Sequence, residues 1–381
     1  MSRTAWIQEL REPTPGFREV YVHRVREAGL ADTLRDLVER LPVSGDAALH
    51  SAQGLMVLRS ILVLAPWLQE ASWHGLLAAH LQAMAVDALP EPIAFGSGPI
   101  DFEAFQAQVA PDMANTGLKG ILAHQLADLP HRLGSDRSIF EVLQAACGTL
   151  SSDFYWNQRA LKRLDTTAVV VDNKKDTSTS IASSVQILCE GGLVATLDHF
   201  GALIREGLAA EAFMGILVEG AARKLLEAER ELQGRTSWCL AYLATLPRIP
   251  SVPWLQAAAL INLFPSEEWF SLGVETGGST LEALREAMLD GEPPLARSLA
   301  AQLPSRTDPP EFLPLLAEVA ASSDPLNDRG QRLLAVAAAT ELCSRIPPAQ
   351  RAWLFLSLAT FLAATQTSGD RIMEGQRAWL A

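Results

Sequence analysis

The chain has 381 residues, 49% of them hydrophobic and 20% charged, which is enough apolar material for a large core and too much for a disordered chain. Its 31 Lys and Arg against 44 Asp and Glu give a formal net charge of −13, which repels phosphate backbones and anionic headgroups, so neither nucleic acid nor a membrane surface is an expected partner. Cys147, Cys189, Cys239 and Cys343 stand singly, without the paired spacing of a zinc or redox site, and read as reduced core thiols.

From the amino terminus, Met1 to Pro13 holds no apolar stretch like a signal peptide, from which a cytoplasmic location is expected. After the break Pro13-Thr14-Pro15-Gly16, residues Phe17 to Leu41 read as one or two amphipathic helices interrupted near Gly29. Pro42 to Asp46 is a loop, and its polar residues suit the start of a helix carrying His50. The apolar run Leu55 to Leu68 contains Arg59 and Pro66, so it reads as a core helix and not a membrane span. A Trp-led helix follows from Trp67 to Leu81, then a long turn between Leu89 and Asp101. Helices resume at Phe102 to Gln108, Leu118 to Leu133 and Ser138 to Leu150.

Thr166 to Ser184 is the least helical stretch: β-branched residues at 167–171 suit a short strand, and a polar loop follows. The expected division is a helical lobe over 1–165, an extended linker or lid over 166–184, and a second helical lobe over 185–381. In that lobe the spacing predicts helices near Ile181 to Glu190, Leu193 to Glu206, Ala210 to Leu232, Ser237 to Leu246, Trp254 to Asn262, Leu281 to Leu289, Pro294 to Gln302, Phe312 to Ala321, Gly330 to Arg345 and Ala349 to Ala364.

One pattern occurs three times: an apolar run, a proline-bearing break, and a Trp-Leu pair opening a second run. The copies are Leu55 to Pro66 with Trp67-Leu68, Leu240 to Pro253 with Trp254-Leu255, and Leu333 to Pro348 with Trp353-Leu354. Leu240, Leu243 and Leu246 fall three apart, as one apolar helical face requires. The expected fold is therefore all-α, with helical hairpins packed in layers. The copies are unequally spaced, which leaves an irregular α-bundle and a degenerate α-solenoid both open.

No strong catalytic motif is present: no H-E-x-x-H, no phosphate-binding glycine loop, no G-x-S-x-G, and Pro99 spoils Gly96-Ser97-Gly98 as a dinucleotide turn. No metal site is expected. Among seven histidines, His74 and His80 point to opposed sides of a helix, and Pro130 separates His124 from His131. Adjacent residues diverge on a helix, so Asp198 is poorly placed to orient His199. His50 opens the most apolar helix, and Arg59 interrupts the same run, where a guanidinium must either reach the rim or serve a polar pocket. His50 and Arg59 are the candidate catalytic residues, although about half a helical turn separates their directions. Trp67, Trp73, Tyr155 and Trp156 are candidate walls for a flat ligand.

The segment Ala47-Ala48-Leu49 with His50 to Arg59, followed by the Trp67 to Leu81 helix, resembles a motif of the questin oxidase-like family. That resemblance implies an α-helical oxidoreductase acting on an aromatic polyketide-like substrate, inserting oxygen with a nicotinamide reductant, and it carries over to His50 and Arg59. The residues themselves name no cofactor. Two functions are thus expected in competition: a binder or enzyme for a small apolar or aromatic molecule, and a non-catalytic helical scaffold for a protein partner.

Overall fold

The computed structural model describes residues 178–366 except 229, 266–278, 304–307 and 324–329, together with parts of 57–68 and 112–129 and positions 23, 27 and 32. The described residues are all-α, with no strand among them. Ten α-helices follow in chain order: α1 Ser178–Glu190, α2 Leu193–Arg205, α3 Ala210–Glu227, α4 Arg230–Thr245, α5 Val252–Leu263, α6 Leu281–Leu289, α7 Pro293–Gln302, α8 Pro309–Ala321, α9 Gln331–Leu342 and α10 Pro348–Ala364. The predicted strand at 167–171 lies outside the described residues.

Two expected boundaries change. Helix α1 begins at Ser178, so residues 178–184 of the expected linker are helical. The single helix expected over Ala210 to Leu232 ends at Glu227, where Ala228 turns extended (φ −67°, ψ 133°), and α4 starts at Arg230. Ala228-Glu229-Arg230-Glu231 are all helix formers, so the break is imposed by packing: α4 folds straight back against α3.

Burial separates inner helices from outer ones. Phe213 to Ala222 of α3, Trp254 to Ile261 of α5 and Leu354 to Ala363 of α10 are buried without interruption, as is Thr236 to Ala244 of α4. A helix buried on every side belongs to the centre of a fold. The one-faced pattern expected of the α4 limb is therefore too modest, although Leu240, Leu243 and Leu246 are all buried as their spacing requires.

Side-chain contacts give the directions. Gly215 lies against Pro347 and Gln350, and the Arg223 guanidinium sits 4.1 Å from the Trp353 ring centroid, so α3 and α10 run parallel. Gly234 meets Gln331 near the starts of α4 and α9, while Arg345, just beyond α9, reaches the last carbonyls of α4, so these two are also parallel. Arg332 at the start of α9 donates to Leu362 O near the end of α10, which makes α9 and α10 antiparallel. The core is thus two hairpins, α3–α4 and α9–α10, laid on one another. Phe312 of α8 stacks on Phe355 of α10 at 4.9 Å, and Phe200, Phe213 and Trp254 meet edge to face across α2, α3 and α5.

Helix carboxyl ends leave carbonyls without intrahelical donors and carry negative partial charge. Here other helices supply the donors. Lys224 Nζ donates to Cys189 O at 2.7 Å and Asn262 Nδ2 to Leu188 O and Gly191 O at 3.0 and 2.6 Å, closing α1. Arg345 donates to Ala244 O and Leu246 O at 3.1 and 2.8 Å, closing α4. Arg332 donates to Leu362 O at 2.8 Å near the end of α10. The α2 and α6 ends close locally, through Gly207 and Gly291 at φ 75° and 71°. No helix among the described residues is long and apolar enough to cross a membrane.

Candidate functional site

Arg59 belongs to a short helical run that Pro66 ends in the 3-10 turn Ala65–Trp67. That turn packs against α8, and Val57 lies over Gly330 at the foot of α9, so closely that a Cβ there would overlap it. Arg59 is 5% exposed, and its Nη2 donates to Glu341 Oε1 on the last turn of α9. The arginine interrupting an apolar run therefore serves a polar cluster and not the rim.

The second oxygen of Glu341 faces a different segment. His124 Nε2 lies 3.5 Å from Glu341 Oε2. That separation is at the long limit of a hydrogen bond, and Nε2 is buried with no closer polar partner. The helical stretch carrying His124 is seated on α4: the Tyr242 ring fills the space that side chains at Gly117 and Gly120 would take. A buried Lys119–Asp112 pair at 2.7 Å fixes the start of that stretch.

Burial alone would raise the Glu341 carboxyl, but His124 and Arg59 more than reverse it and hold the group down at about 2. Glu341 is 23% exposed and His124 27%. The cluster is an ionised carboxylate shared between a fixed cation and a titratable ring, set on otherwise apolar helices.

Of the residues singled out from sequence, Arg59 and Trp67 are described. Trp67 is half-buried and packs against the core at the end of Arg59's run. His50, Trp73, Tyr155 and Trp156 lie outside the described residues. Glu341 and the role of His124 were not anticipated, because no local motif links positions 59, 124 and 341.

A second polar pair joins α1 to α2: Ser184 Oγ and His199 Nε2 are 2.8 Å apart. Burial lowers the His199 pKa, partly opposed by Glu206. Ser184 is completely buried, so its hydroxyl is closed to any substrate and the pair ties two helices together. Asp198 is exposed. Cys189, Cys239 and Cys343 form no disulfide and are buried, and burial pushes the first up to about 11 and the last to about 12, which keeps these core thiols protonated. Among the described residues no three His, Cys, Asp or Glu side chains are grouped to hold a metal.

Compared with known proteins, the chain matches no family model, no curated protein and no solved structure.

Proposed function

We propose that this is a small-molecule-binding helical protein whose ligand is apolar or aromatic, with Arg59, Glu341 and His124 as its polar anchor and Trp67 beside them. One observation carries the reading: a nearly buried guanidinium is held with a carboxylate and an imidazole on a wall of apolar helices. Binding sites for small molecules combine such walls with a few convergent polar groups. Oxidoreductase chemistry on an aromatic polyketide-like substrate, with His50 and Arg59 in the working roles, is the specific form that the questin oxidase-like resemblance supports.

The test is quenching of tryptophan fluorescence by 1,8-dihydroxyanthraquinone, a flat aromatic probe. Wild type is expected to show saturable quenching, and Arg59→Met to lose roughly tenfold or more in affinity, as removal of a charged hydrogen-bonding anchor predicts. A melting midpoint that still permits binding at the assay temperature accompanies that result. The alternative is a protein-binding scaffold, with Lys224, Arg332 and Arg345 donating to carbonyls at helix ends and so holding the helices together. On that reading wild type does not bind the probe, and Arg59→Met lowers stability alone.

A further inference from the structure

Two turns at opposite ends of α10 carry exposed apolar residues beside opposite charges. The first joins α4 to α5. In it Pro247 and Pro250 bracket Arg248 and Ile249, and each proline fixes its own φ. Arg345 donates to Leu246 O and Pro247 O at 2.8 and 3.3 Å, and Trp254 Nε1, from the buried start of α5, donates to Pro247 O at 3.1 Å. The turn is thus held from below, while Arg248 is exposed and Ile249 is 75% exposed. Arg345 adds a second positive charge close to Arg248, with Glu341 facing Arg345 from α9.

The second turn joins α6 to α7 through Gly291 at φ 71°. Asp290 and Glu292 are exposed on either side of that glycine, and Leu295, 45% exposed, follows in the first turn of α7. Gly291 lies against Gln366, just past the end of α10, whereas Arg345 precedes the start of α10 by three residues. Helix α10 has 17 residues, so its ends are roughly 25 Å apart at about 1.5 Å per residue. Within one molecule the two turns do not meet.

We propose that they are the two halves of a contact between copies of this chain, which pair end for end as an antiparallel dimer. A copy turned over sets its Glu292 and Leu295 against Arg248 and Ile249, and the two-fold axis repeats the contact at the other end. Apolar surface exposed at both turns is buried, and Arg248 gains a carboxylate. The held turn has little freedom to lose on docking, which lowers the cost of association. Contacts made by two turns are small, so the dimer is weak and reversible. The net charge of −13 opposes pairing at long range, and salt near physiological strength screens that repulsion. This inference goes beyond the ligand reading and does not depend on it.

Sedimentation velocity of the full chain at about 0.15 M salt, over a concentration series reaching the submillimolar range, tests the pairing without any ligand. Wild type is expected to pass from monomer to dimer and no further. Arg248→Glu and Glu292→Arg each set like charges against one another, and each alone is expected to weaken the dimer tenfold or more. An equimolar mixture of the two variants regains it, because both contacts are then between opposite charges. Both positions are exposed, and the regained dimer itself shows that the variants are folded. A wild type that stays monomeric, growth beyond the dimer, single variants that pair as wild type does, or a mixture that stays monomeric overturns the proposal.

Discussion

Glu341 is ionised against the pull of its own burial, and that makes it a source of pH-dependent stability. Its carboxyl is held at about 2 against an ordinary 4.5, so the unfolded chain takes up its proton first as the solution is acidified. The contribution is fully present above about pH 4.5 and is lost as the pH falls toward about 2. Urea denaturation of Glu341→Gln is expected to show a loss of about 1–3 kcal/mol at neutral pH, with the difference from wild type shrinking through that acid window. His199 has the opposite chemistry. Burial favours its neutral form, so the fold is strongest above its ordinary 6.5 and weakens as the pH drops below that value, where the unfolded chain is protonated first. A His199→Gln variant is expected to show a shallower fall in melting temperature between pH 7 and 5; an identical slope would remove His199 as the cause. Arg59 was legible at this scale because a guanidinium inside an apolar run demands a partner. The partner was not, since Arg59 and Glu341 are 282 positions apart and Glu341 reads locally as the polar tail of an ordinary helix.

At the scale of elements, the periodicity of apolar residues located the helices because burial and 3.6-residue geometry act on the same positions. Leu281 to Leu289 was read to the residue, with Thr280 capping it through a bond from Ala283 N at 3.1 Å. The misread junction at Ala228 shows the limit: with neither Gly nor Pro, nothing local stops the helix, and only α4 returning onto α3 does so. The small residues between helices carry a similar message that composition alone does not reveal. A Cβ built on Gly220 of α3 would come within 2.3 Å of Leu188 Cδ2 on α1. Gly220→Ala must therefore push Leu188 aside, and the intrinsic gain in helix propensity does not offset it. Chemical denaturation is expected to show a loss of about 1–3 kcal/mol, whereas unchanged or raised stability would mean that α1 is free to shift.

Over the whole molecule, the hairpin signature was a sound guide to class and a poor guide to arrangement. Two of its copies fall on α4 with α5 and on α9 with α10, each a packed pair, and Trp254 and Leu354 are buried as their positions suggest. A solenoid would place consecutive pairs side by side. Here α3 and α4 instead lie along α10 and α9, pairs widely separated in sequence, which gives a layered α-bundle over the described residues. Such long-range pairing is set by side-chain complementarity and leaves no period to read. The amino-terminal runs then reach this bundle at Val57, Arg59, Gly117 and His124, and the polar cluster forms where they meet α9. The central claim is that this meeting point anchors a small ligand. Native mass spectrometry of the purified chain and of Arg59→Met tests it most directly. The account predicts a bound small molecule on the wild type that the variant has lost while keeping its compact charge-state distribution; the bare chain mass for wild type, or the same adduct retained by the variant, would contradict it.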